Sequence, residues 1–162
     1  MNKKKFILFL AVLFVVAGAY VVYDITRNTT YGEVLNDYEI NQNSVENVKI
    51  THYEYRKGTN SYDKFEATTS DTEFIDKILN EPSDIKLKES KPCDDLPDFD
   101  LQFNKNGSSY MVTLCDNNIT LVNSTVIDST KEIGEYEIVG KKKDIFHKII
   151  MKSNLNWKVI RD

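Results

Sequence analysis

The chain has 162 residues, 41% hydrophobic, 28% charged and 11% aromatic, with a formal net charge of −4. That length suits one globular domain with an attachment, and the supply of aromatic and β-branched residues excludes a disordered chain. With Lys3, Lys4 and Lys5 set apart, 18 basic residues face 25 acidic ones, a net −7, so the remainder repels phosphate backbones and no nucleic-acid partner is expected.

Residues 6–23, FILFLAVLFVVAGAYVVY, carry no charge. As a helix they would cover about 27 Å, close to the hydrocarbon thickness of a bilayer. Three lysines precede the run, whereas Asp24 and a single basic residue, Arg27, follow it. The positive-inside rule then predicts one transmembrane span with the N-terminus in the cytoplasm and the body outside. Tyr20 and Tyr23 suit the outer headgroup region. A cleaved signal peptide competes with this reading, because Ala17-Gly18-Ala19 fits a small-x-small cleavage site and would release a secreted body after Ala19. The apolar run continues through Val21 and Val22, which favours a retained anchor. No cysteine closes the run, and neither a preceding Gly nor an internal Glu marks a prepilin. The expected organisation is 1–23 basic tip and anchor, 24–47 stalk, and 48–162 extracytoplasmic domain.

In the stalk, Thr30 and Glu33 have capping-box spacing, and Tyr31, Val34, Leu35 and Tyr38 share one helical face, which predicts a short juxtamembrane helix. VKITHYEY at 48–55 reads as a strand, 57–60 as a turn and 64–69 as the returning strand. SDTEFIDKILNEP predicts an amphipathic helix, with Ser70 and Glu73 at its start, Phe74, Ile75, Ile78 and Leu79 as the buried stripe, and Pro82 as the block. Residues 85–88 suggest a brief strand.

In DFDLQFNKNGSSYMVTLCDNNITLV, Asn106-Gly107 suits a type I′ turn, since both positions tolerate positive φ. This register puts Phe103 opposite Tyr110, Leu101 opposite Val112 and Phe99 opposite Leu114, all on one face. A second turn at Asn117-Asn118 would set Leu121 beside Leu114. EYEIV at 135–139 is a further strand, and KKKDIFHKIIMK a second amphipathic helix with Ile145, Phe146, Ile149 and Ile150 on one side. Alternation of Leu155, Trp157 and Val159 suggests an edge strand. The expected fold class is α+β: an N-terminal transmembrane helix, then an antiparallel β-meander packed with two short amphipathic helices.

The order strand, strand, SDxxFIxxIL helix, PDFDLQFNKNGSSYMVTL, YEIVGKKKDIFHKII resembles small membrane-anchored or lipid-linked extracytoplasmic domains of unknown function from low-GC Gram-positive bacteria. The resemblance spans residues 48–152 and implies a cell-envelope location without an assigned activity. The chain lacks the lipobox cysteine of the lipid-linked members.

Cys93 and Cys115 are the only cysteines. On an oxidising side of the membrane they are a disulfide candidate, with Pro92 and Pro97 bending the intervening segment back over the strand. The alternatives are two unpaired thiols, or a reactive Cys115 with His147 as its base. Asp94, Asp95, Asp98 and Asp100 in CDDLPDFD are weak metal candidates: carboxylates suit Ca²⁺, but the spacing fits no EF-hand loop, and a solvated loop and strand face explains them. His52 and His147 lack partners at zinc-ligand spacing. Four glycosylation-type triplets arise by chance in an Asn- and Thr-rich chain and would mean nothing in the bacterial source that the resemblance implies, and Lys141–Lys143 reads as a solvated face. No catalytic residue or cofactor is expected.

These readings lead to a non-catalytic binding module of the cell envelope, whose partner is an envelope protein, a secreted peptide or a cell-wall component. Tyr53, Tyr55, Tyr62 and Phe65 are the expected contact surface where they are not core. The alternatives are a small extracytoplasmic enzyme using Cys115 or the 94–100 aspartate patch, and an accessory subunit of a membrane complex.

Overall fold

The computed structural model describes residues 9, 11–19, 21, 28–56, 58, 61–91, 97–115, 118–123, 134–140 and 144–160. Nine strands form one sheet: β1 (Asn28–Thr30), β2 (Asn47–Tyr55), β3 (Tyr62–Thr69), β4 (Lys86–Glu89), β5 (Phe99–Lys105), β6 (Ser108–Cys115), β7 (Asn118–Asn123), β8 (Gly134–Val139) and β9 (Lys158–Ile160). Three helices accompany it: α1 (Tyr31–Asp37), α2 (Thr72–Asn80) and α3 (Ile145–Lys152). The strand order is β1-β4-β8-β7-β6-β5-β2-β3-β9, and every described pairing is antiparallel.

The expected transmembrane helix is not supported. Among the described residues no helix is long and apolar enough to cross a membrane. In place of a membrane-anchored meander with two helices, the body is a nine-stranded sheet with a third helix drawn from the expected stalk.

That third helix is α1. Thr30 Oγ1 accepts from the Glu33 N–H at 3.2 Å, and Glu33 Oε2 accepts from the Thr30 N–H at 2.8 Å, the reciprocal capping box. The next two amides are satisfied by the domain itself: Tyr31 N donates to the Ile85 carbonyl and Gly32 N to the Ser83 carbonyl, both at 3.0 Å. β1 pairs with β4, and Tyr31, Val34 and Leu35 are buried. A free stalk would leave this apolar stripe wet; folding it onto the sheet removes it from water.

The inner face of the sheet follows the period of two. Val48 and Ile50 on β2 lie opposite Phe103 and Leu101 on β5, and Phe99, Leu101 and Phe103 lie opposite Leu114, Val112 and Tyr110 on β6. Asn106 and Gly107 take φ of 49° and 77°, as a two-residue I′ connection requires. The next pairing differs from expectation: Leu114 lies opposite Ile119, and Leu121 opposite Val112. A slip of two residues leaves the facing parity of the strand unchanged. All three helices bury their apolar sides in one cluster with these strands, so they cover the same face. α2 starts one residue later than expected, because Asp71 Oδ1, not Ser70, accepts from the Glu73 N–H at 3.0 Å. The expected tail strand shortens to β9, which pairs with β3 through Lys64–Ile160, Phe65–Val159 and Glu66–Lys158.

Candidate functional site

With α1, α2 and α3 on the inner face, the outer face of β2, β3, β5 and β6 carries polar and tyrosine side chains. Alternation along β2 directs Lys49, Thr51, Tyr53 and Tyr55 outward, opposite Thr68, Glu66, Lys64 and Tyr62 of β3. Tyr55 is 57% and Tyr62 42% exposed, and they are direct cross-strand partners. The Tyr53 and Tyr62 rings meet edge to face, with centroids 5.4 Å apart and planes at 71°. The structure thus divides the expected contact set. Tyr53, Tyr55 and Tyr62 lie together on the outer face, whereas Phe65 pairs with His52 on the inner one.

Around the tyrosines the polar groups are tied to one another. Tyr53 donates to Asp100 Oδ2 at 2.8 Å, and Thr113 donates to Asp100 Oδ1 at 2.7 Å. Glu66 bridges Lys49 at 3.1 Å and Lys64 at 3.2 Å. Gln102 donates to Ser109 Oγ and Asn104 to Asn47 Oδ1, each at 2.7 Å. Partial burial, then the Asp100 carboxylate, push the Tyr53 phenol well above its ordinary value. Burial also acts upward on Glu66, but the two lysines outweigh it and hold the carboxyl below the usual range.

The aspartate candidates do not converge. Asp100 is engaged as described, Asp98 is exposed at the strand entry, and Asp94 and Asp95 lie outside the described residues. No group of three or more metal-ligating side chains occurs among the described residues. Cys115 is 4% exposed at the end of β6 and is not a free thiol, and Cys93 lies outside the described residues. Cys115 and His147, far apart in sequence, line one small cavity of about 30 Å³ with Asp98 and Phe146. Lys141–Lys143 also lie outside the described residues.

His52 lies opposite Phe65 and Phe99 and points inward. Its ring stacks on Phe99 at 4.6 Å and on Phe65 at 6.0 Å, and Trp157 lies edge-on at 6.2 Å. Nδ1 sits 3.0 Å from the Asp98 carbonyl oxygen, an acceptor only, so Nδ1 carries the proton.

Sequence reasoning missed an open groove of about 610 Å³ between α2 and α3. Phe74, Ile149 and Leu155 line it with Asp71, Glu73 and Glu81 from the α2 region and Lys148 and Lys152 from α3. Its signal was faint, because each helix shows its own buried stripe but neither shows how far apart they pack. Lys77 is taken up by Glu73 at 2.6 Å, and Asp71 caps α2.

The fold and this surface define an antiparallel α+β domain with α1, α2 and α3 on one sheet face and, among the described residues, no helix packed on the other. Comparison with family models, curated proteins and solved structures gave no match.

Proposed function

We propose that this protein is a binding module of the cell envelope, not an enzyme, and that it contacts its partner through the outer sheet face around Tyr53, Tyr55 and Tyr62. One observation carries the reading: the helices pack together on the inner face, while two tyrosines stand exposed as cross-strand partners on the other. Tyrosine combines a rigid apolar ring with a polar tip, and it loses few rotamers on contact, which suits a recognition surface. The internal hydrogen bonds of Asp100, Gln102, Asn104 and Glu66 hold the surrounding platform in one arrangement, which lowers the ordering cost of association. The bonded state of the Cys115 sulfur takes away the nucleophile that a thiol enzyme needs.

An extracytoplasmic location is part of the proposal. It is supported by Lys3–Lys5 followed by the uncharged apolar run 6–23, which contains the small-x-small triplet Ala17-Gly18-Ala19 of an export signal, and by the resemblance to Gram-positive envelope domains.

The test places a photo-activated cross-linking residue at position 55 or 62 in cells, with position 159 on the inner face as control. Capture of one reproducible partner from 55 and 62 but not from 159 supports the reading. Equal capture from all three positions, or loss of folding in Tyr55→Ala and Tyr62→Ala, sinks it.

A further inference from the structure

The helix side of the domain carries a groove unrelated to the tyrosine face. Its volume of about 610 Å³ falls within the range of about 300–1,000 Å³ that ligand clefts span. The base is apolar: Phe74 and Ile149 are buried and Leu155 is half-buried. The two sides carry opposite charge, with Asp71, Glu73 and Glu81 on the α2 side and Lys148 and Lys152 on the α3 side. Part of that charge is used within the chain. Lys77, one turn from both Glu73 and Glu81, is held by Glu73 at 2.6 Å; Asp71 caps α2; and Lys148 lies 3.9 Å from Asp144. Glu81 and Lys152 are exposed and make no ion pair among the described residues, so one acid and one base stay open on opposite sides of the gap.

A ligand of one sign gains at one side of this groove and is repelled at the other, which disfavours polyanions and polycations alike. A wholly apolar ligand would lie against both charges and answer neither. A molecule with an ammonium at one end, a carboxylate at the other and apolar side chains between meets all three features. The segment after α3 points to a peptide among such molecules. Leu155 N donates to the Ser153 carbonyl at 2.9 Å and Trp157 N to the Leu155 carbonyl at 3.1 Å, whereas Asn154, which lines the groove, makes no hydrogen bond among the described residues. Its peptide and carboxamide groups are therefore available to another backbone.

We propose that the groove binds a short peptide with both termini free, its ammonium toward Glu81, its carboxylate toward Lys152 and its apolar side chains over Phe74, Ile149 and Leu155. Both ionic contacts are solvent-exposed, so each changes affinity by about fivefold at most, and binding weakens as salt rises.

The test is an amide chemical-shift titration of the full chain with alternating alanine–leucine tri-, tetra- and pentapeptides whose ends are free, and with triglycine as control. The expected result is saturable binding of at least one alanine–leucine peptide, weakened by added salt, with shifts at 71–81 and 148–155 and none at 53–55 or 62. N-acetylation and C-amidation of that peptide each weaken it by about two- to fivefold, and triglycine does not bind. Lys152→Gln weakens the free peptide by a similar factor and leaves the amidated one unchanged; Glu81→Gln does the same for the free peptide against the N-acetylated one. Both side chains are exposed, so the variants keep the thermal midpoint and their losses report on the contacts. Saturable binding of none of the three peptides, shifts centred on the tyrosine face, equal affinity for the blocked peptides, triglycine binding as tightly, or variants that weaken free and blocked peptides alike overturns the proposal.

Discussion

Tyr53 on β2 donates its hydroxyl to Asp100 on β5 at 2.8 Å, and the other oxygen of that carboxylate takes the hydroxyl of Thr113 on β6 at 2.7 Å. One side chain thereby ties three neighbouring strands together on the face that no described helix covers. Tyr53→Phe removes one of these bonds at a half-exposed site, and a loss of about 1 kcal/mol is expected. Asp100→Ala removes both acceptors and costs more. A double-mutant cycle in urea checks the link: coupling near zero would show that the Tyr53–Asp100 bond contributes nothing.

Tyr31 presents the opposite situation. Its ring is fully buried, edge-on to Phe146 at 5.1 Å, and its hydroxyl has no hydrogen-bond partner among the described residues. A buried hydroxyl left unpaired costs about 1–3 kcal/mol. Tyr31→Phe keeps the packing and discards that cost, so the thermal midpoint is expected to hold or rise. A clear fall would mean that the hydroxyl is satisfied in solution.

The same residues set an alkaline limit. Burial raises the phenols of Tyr31, Tyr53 and Tyr136, with Asp100 adding to the effect at Tyr53. Their unfolded values lie near 10. Below that pH both states hold the proton and these groups leave stability unchanged. Above it the unfolded chain ionises first, so stability falls as pH rises toward the folded values. Denaturant midpoints measured from neutral pH upward are expected to be flat and then to drop above about pH 10, less steeply in Tyr31→Phe. A drop of equal slope in that variant would assign the effect to other groups.

If α1 belongs to the domain, damage to it must unfold the sheet. Leu35 is 3% exposed within the same core cluster as Phe103 and Leu87. Leu35→Ala is expected to cost about 2–5 kcal/mol, and Thr30→Ala, which removes the cap, about 1 kcal/mol. Strand signals in backbone-resolved hydrogen exchange report the outcome. A Leu35→Ala protein with unchanged protection in β4 and β8 would restore the stalk reading.

Local chemistry was legible in the residues. The Asn106-Gly107 turn and the 99–114, 101–112 and 103–110 register follow from the need for positive φ and from a period of two. The Thr30–Glu33 box and the α2 stripe were equally plain, because each is decided within one helical turn.

What the tertiary structure alone decided is everything that depends on which surfaces meet. Residues 6–23 are apolar enough to suggest a span, but among the described residues no helix is long and apolar enough to cross a membrane. The segment ahead of β2 read as a stalk because its partners, Ser83, Ile85 and β4, lie some fifty residues away in sequence. His52 became a stacked inner residue through Phe65 and Phe99, which belong to other strands, and Phe65 left the tyrosine set for the same reason. Backbone propensity acts over a few residues and is written in the chain. The choice of which face is covered is made by long-range burial, which only the folded molecule contains.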